Sequence, residues 1–169
     1  MKTNQSNSSE HERVGITPFL WFDGRVEEAI NFYTSIFKNS KIVNANHLPG
    51  DVPGRKGKIM TATIELDGQR FMLLDGGPQF KFSPATSFFV NCTSQEEVDE
   101  LWEKLSEGGK PNRCGWIDDK FGMTWQIVPD TLGKLMYSQD PAKSKRVMEA
   151  VMQMGKIEIK KLQEAYDKE

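Results

Sequence analysis

The chain has 169 residues, an apolar content of 37% and a formal net charge of −2. That length holds one domain or a tight pair of half-domains with a real core. The near-balanced charge, with acids and bases interleaved, speaks against a nucleic-acid partner, and no apolar run is long enough to span a membrane.

The first segment, MKTNQSNSSEHER (1–13), is polar and reads as a disordered tail without the apolar stretch of a secretory signal. Residues 16–22, ITPFLWF, read as a strand closed by Asp23-Gly24. Val26, Ile30, Tyr33 and Phe37 then recur at helical spacing and give one buried stripe. Residues 41–48 form a second strand, and 49–58, with two Pro and three Gly, an exposed loop. Residues 58–66 and 69–74 are strands joined at Asp67-Gly68, a tight-hairpin signal.

Residues 86–92 open the second half. Ser94 with Glu97 three residues on matches a capping box, and Val98, Leu101, Trp102 and Leu105 make the buried stripe of the helix that follows. Gly108-Gly109 stops it. Two strands, 113–117 and 123–128, flank the turn Asp118-Asp119-Lys120, and Pro129 closes the core. Asp140-Pro141 begins a helical region that Gly155 divides. Its apolar arc packs either on the chain's own sheet or on a second subunit, and helical patterning does not choose between them. The division expected is a tail (1–13), a domain (14–139) with modules at 16–77 and 86–129, and a C-terminal helical region (140–169). Cys92 and Cys114 make no disulfide framework. They read as small buried hydrophobes in a reduced, cytoplasmic protein, Cys92 being the nearer to a helix start.

The two halves repeat. At a constant offset Thr17 falls on Thr86, Phe19 on Phe88, Ala29 on Val98, Tyr33 on Trp102 and Ile36 on Leu105. A duplicated strand–helix unit followed by more strands predicts an α+β fold of paired modules with a site at their pseudo-twofold seam.

A strand–helix–strands unit given twice, with FY in its first helix, resembles the vicinal oxygen chelate superfamily of glyoxalases, bleomycin-resistance proteins and extradiol dioxygenases. SFFVNC, EEVDELWEKLSEGG, CGWIDDKFGMTWQIVP, DPAKSKRVMEAVMQM and KIEI are similar to its PhnB-like branch, which carries the name 3-demethylubiquinone-9 3-methyltransferase. The resemblance implies paired βαβββ modules, a curved sheet around a cavity and a homodimer. It does not imply one reaction.

In metal-dependent members of that superfamily, ligands come from equivalent first and last strands of each module. The repeat and the two turns place Thr17, Asp75, Thr86 and Gln126 there. Two hydroxyls, an amide and a single carboxylate are a poor transition-metal set, and His11 and His47 lie elsewhere. No metal and no cofactor are therefore expected. Methyl transfer from S-adenosylmethionine has little support either. Gly76-Gly77 is followed by Pro78 and an aromatic loop, not by the helix that a nucleotide-binding turn feeds.

Strand alternation puts Thr17, Phe19 and Trp21 on one face, with Thr86, Phe88 and Val90 beside them. Asp75 shares a face with Phe71 and Leu73, and Gln126 one with Thr124. The expected ligand cavity is lined by Thr17, Trp21, Asp75, Thr86, Phe88, Trp116 and Gln126, with Asp75 as its ionisable group. The reading is a metal-free small-molecule-binding protein. The alternative is an enzyme on a small aromatic or carbonyl substrate with Asp75 as base, including the methyl transfer that the family name carries.

Overall fold

The computed structural model describes residues 15–47 and 57–168. The expected tail and most of the expected Pro/Gly loop lie outside these residues.

The first module runs β1 (Phe19–Phe22), α1 (Val26–Ile36), β2 (Ser40–His47), β3 (Ile59–Leu66) and β4 (Gln69–Asp75). Its sheet order is β1-β4-β3-β2, with β1 parallel to β4. The second runs β5 (Ser87–Cys92), α2 (Gln95–Ser106), β6 (Lys110–Pro111), β7 (Trp116–Asp118) and β8 (Thr124–Pro129), in the order β5-β8-β7-β6 with β5 parallel to β8. The duplication read in the sequence is thus a duplication of topology: two βαβββ modules. Three helices follow, α3 (Asp130–Met136), α4 (Pro141–Met152) and α5 (Ile159–Asp167). Among the described residues no helix is long and apolar enough to cross a membrane.

Local chemistry explains the elements. The β3–β4 hairpin turns on Asp67 at φ 47° and Gly68 at φ 81°, the paired positive angles of the turn that matches strand twist. Ser94 caps α2, accepting from Glu97 N at 3.2 Å. The Glu97 carboxylate reaches back to Thr93 N at 2.7 Å, one residue earlier than the capping box expected. Asp140 caps α4 by accepting from the N–H groups of Ala142 and Lys143, and Pro141 fills the first helical position. Sequence reading ended the second module at Pro129 and did not see α3. That helix buries none of its residues fully and contains Gly133, so its pattern is weak.

One core serves both modules. Leu20, Phe22, Ala29, Ile30, Tyr33, Ile64 and Leu73 join Val98, Leu105, Ile117, Trp125 and Ile127 in a single cluster. The C-terminal helices close around a second one, Val128, Val147, Val151, Met154, Ile157 and Leu162. The apolar arc of that region is therefore met largely by its own helices. The link between 154 and 159 ties the unit to the second module. Cys114 N donates to Met154 O and Gly115 N to Gly155 O, both at 2.8 Å, and the Gln95 amide bonds Ile157 O and Ile159 N.

The modules are locked through a buried carboxylate. Asp119 is 3% exposed, yet it accepts four hydrogen bonds. Its Oδ2 takes Tyr33 OH of α1 at 2.8 Å and Trp125 Nε1 at 2.9 Å, and its Oδ1 takes the N–H groups of Phe121 and Met123. Burial raises the Asp119 pKa from the ordinary 3.8, outweighing the donors that lower it. Burial first, then the neighbouring carboxylate, drives the Tyr33 phenol well above its usual range.

Asp119→Asn turns its amide N–H groups either toward Trp125 Nε1 or toward the backbone N–H groups of Phe121 and Met123, all of which can only donate, and should destabilise the fold by about 3 kcal/mol in denaturant melts. A carboxyl whose folded pKa is raised contributes stability that is complete below the unfolded value and is lost as pH rises through the folded one. Wild type measured against Asp119→Asn should therefore lose relative stability as pH climbs from below 3.8 and level off above the raised value. The opposite slope would show that the donors outweigh burial.

Candidate functional site

The repeat alignment holds along the helices and slips in the strands. Asp23-Gly24-Arg25 joins β1 to α1, whereas Thr93-Ser94 alone joins β5 to α2. One residue of difference reverses which face each side chain of a strand takes. Phe22 and Cys92 are both core residues at the strand ends, so Leu20 corresponds to Val90 and Phe19 to Phe89. Phe88 therefore does not face the same side as Trp21. It lies edge-on to Phe71 at 4.9 Å and against Trp125 at 5.5 Å, on the core side. Thr86 is exposed ahead of β5, and Ser87 takes the place expected for it.

The last strands shift by three residues, because five residues (119–123) join β7 to β8 whereas two (67–68) join β3 to β4. Phe22 pairs with Asp75, and Phe89 with Gln126. Asp75 shares the face of Phe71 and Leu73 as expected, but that face is the core side. Met72 is the true counterpart of Gln126. The positions equivalent by structure are Thr17, Met72, Ser87 and Gln126, two hydroxyls, a thioether and an amide. Gln126 Nε2 already donates to Ser87 Oγ at 2.8 Å. This set fits a divalent metal less well than the set read from sequence, and among the described residues no cluster of three or more His, Cys, Asp or Glu side chains is placed to hold one.

Asp75 is 7% exposed, and its Oδ1 accepts from Gly24 N at 2.8 Å, which fixes the β1–α1 connection. Trp116 and Gln126 sit together, paired in the β7–β8 register, on the open face of the second sheet. Cys92 is fully buried, and burial pushes its thiol up to about 12, which makes it an inert core residue.

A cleft of about 350 Å³ opens where the modules meet, at the end of β1. Trp21, Phe22, Phe80, Phe82 and Phe121 give it aromatic walls, and Asp23, Arg25 and Lys81 are its charged residues. Of the residues singled out in the sequence, Trp21 alone lines it. Phe80 and Phe82 lie in the loop after β4, and no periodicity marked them.

The walls are fixed in place. Trp21 Nε1 donates to Gly77 O at 2.8 Å, and Phe80 meets its ring edge-on at 5.0 Å. Phe82 and Phe121 each meet Phe22 edge-on, at 5.2 and 5.6 Å. The Arg25 guanidinium stacks on Phe121 at 4.4 Å. Its Nη1 donates to Lys120 O at 3.0 Å, and its other nitrogens grip Glu28 at 2.8 and 2.9 Å. Lys120 meets the same carboxylate at 3.1 Å, and the Arg25 and Lys120 donors together lower the Glu28 pKa to about 2.

Gly76 makes room for the indole: a Cβ there would overlap the Trp21 ring. Gly76→Ala should therefore push the indole off Gly77 O, costing about 1–3 kcal/mol and shifting the tryptophan emission. An unchanged spectrum and melt would mean that Trp21 is not held as described.

A family model described as 3-demethylubiquinone-9 3-methyltransferase matches residues 14–128. A PhnB protein from Bacillus cereus that carries the same methyltransferase name is 39% identical, with a TM-score of 0.62 over 68% of this chain and 98% of that one. Protein PA1353 from Pseudomonas aeruginosa is 23% identical, with a TM-score of 0.58 over 68% and 98%. The fosfomycin-resistance protein FosX from Listeria monocytogenes, solved with Mn(II) and sulfate, is 14% identical with a TM-score of 0.45 over 67% and 87%. Among curated proteins none matches. The duplicated βαβββ topology is the one that the resemblance to the vicinal oxygen chelate superfamily implies, and the chain belongs to the PhnB-like, 3-demethylubiquinone-9 3-methyltransferase family.

Proposed function

We propose that this chain is a metal-independent small-molecule-binding protein whose ligand is an apolar or aromatic compound held in the cleft at the end of β1. The observation that carries this reading is the cleft itself. Five aromatic side chains from three separate segments converge on a volume of about 350 Å³, within the range of small-molecule sites. They are held by a hydrogen bond, edge-on ring contacts and an ion-paired arginine, so little ordering remains for a ligand to impose.

The enzyme reading has less support. A base must reach its substrate, and Asp75 faces the core, bonded to Gly24 N. Methyl transfer would need backbone donors free for S-adenosylmethionine. The N–H groups of Gly76 and Gly77 both bond Phe22 O, at 3.0 and 3.2 Å, and Trp21 covers Gly76. The Gly-Gly turn fits that cofactor poorly.

The open faces of both sheets support a homodimer. Phe19 is 52% exposed and Phe89 60%, with Met72 beside Phe19 in the register. Apolar side chains so placed on sheet faces suit burial against a second copy. Light scattering at micromolar concentration should give twice the mass of the chain, and Phe19→Lys with Phe89→Lys should give the single mass.

A thermal-shift screen of one- and two-ring aromatics should find ligands that raise the melting temperature by mass action. Trp21→Ala should abolish that shift while costing about 2 kcal/mol of stability, less than the 3–5 kcal/mol of a fully buried aromatic, because the indole is only partly buried. Binding that survives Trp21→Ala would place the ligand elsewhere.

A further inference from the structure

Who enters the cleft is a question of charge as well as shape. Three cations stand at or beside it, Arg25, Lys81 and Lys120, against two carboxylates, Asp23 and Glu28. The two central cations are committed. Arg25 and Lys120 share Glu28, and each also covers an aromatic face, Arg25 that of Phe121 and Lys120 that of Phe32, at 4.4 and 4.3 Å. Lys81 differs. It is exposed at the rim between Phe80 and Phe82, and among the described residues it makes no ion pair and no hydrogen bond. Asp23, the carboxylate that lines the cleft with it, makes no ion pair with it, and Asp75 and Asp119 are turned into the core and held there by their own donors.

We infer that the ligand of this cleft is a planar aromatic acid, its ring among Trp21, Phe80 and Phe82 and its carboxylate against Lys81. The inference rests on the cleft being the ligand site and adds the ligand's chemical class. A cationic aromatic is disfavoured twice. It would meet a positive surplus, and the Phe121 face that could receive it by cation–π contact already carries Arg25. A neutral aromatic gains only the ring contacts, whereas an acid also gains Lys81, the cation of the cleft that no described residue pairs. Because Lys81 is solvated, the increment is modest and falls with salt.

Calorimetry on the full chain with 2-naphthoate, 2-naphthamide and 2-naphthylmethylamine tests this. The acid should bind about fivefold more tightly than the amide at low salt, and the amine more weakly than both. Lys81→Gln should bring the acid down to the amide's affinity and leave the amide unchanged, and 0.5 M salt should do the same, as expected for a screened pair. Equal affinity for acid and amide, or preference for the amine, would overturn the assignment of class while leaving the cleft as a site for aromatic ligands. Absence of binding by all three, together with an unchanged Trp21 emission, would overturn both.

Discussion

Asp119 is the group on which the assembly of the two modules depends. A carboxylate in a core is expensive unless its lone pairs are filled, and here four donors fill them. Two are backbone N–H groups that shape the β7–β8 turn, one is the Trp125 indole within the second module, and one is Tyr33 OH from the first. The hydrogen bond from Tyr33 orients α1 against β8, and the rings of Tyr33, Phe37, Phe88 and Trp125 pack around it. The same turn carries Lys120 and Phe121, which receive Arg25. The lock between modules and the floor of the cleft are thus consecutive residues of one turn.

The fold divides its side chains between a shared core and two solvent-open sheet faces. Core residues recur at the helical stripe and at alternate strand positions, which leaves Phe19, Met72 and Phe89 outward. β2 lies at a sheet edge, exposed along its length, and it carries register irregularities at Ile42/Asn44 and Asn46/His47 together with Lys41. Bulges and charge of this kind keep an edge strand from pairing indiscriminately. They favour burial through the sheet face over extension of the sheet at this edge.

Trp21 shows how a glycine can serve a neighbouring aromatic. The indole lies over Gly76, donates to Gly77 O and meets Phe80 edge-on. What looked in the sequence like a strand-ending Gly-Gly is the seat of an aromatic wall. Here the constraint is the absence of a Cβ at position 76, and it acts on a residue 55 positions earlier in the chain.

The duplication, both amphipathic helices, the Asp67-Gly68 hairpin, the cap at Ser94 and the helix start at Asp140-Pro141 were legible because each depends on residues within a few positions of one another. Helical periodicity carried the offset correctly from Ala29 and Val98 to Ile36 and Leu105. It could not carry it across the strand–helix junction, where one extra residue beside Asp23-Gly24 reversed the facing of β1 relative to β5. That slip exchanged Thr86 for Ser87 and turned Phe88 into the core, while the longer β7–β8 turn, five residues against the two of Asp67-Gly68, exchanged Asp75 for Met72. The cleft was legible only at Trp21. Its other walls come from a loop without periodicity, Phe80 and Phe82, and from a turn in the other module, Phe121. Sequence alone determined the modules, since local spacing specifies them. Tertiary structure decided the faces and the cleft, since those depend on register and on contacts between residues as far apart as Arg25 and Lys120.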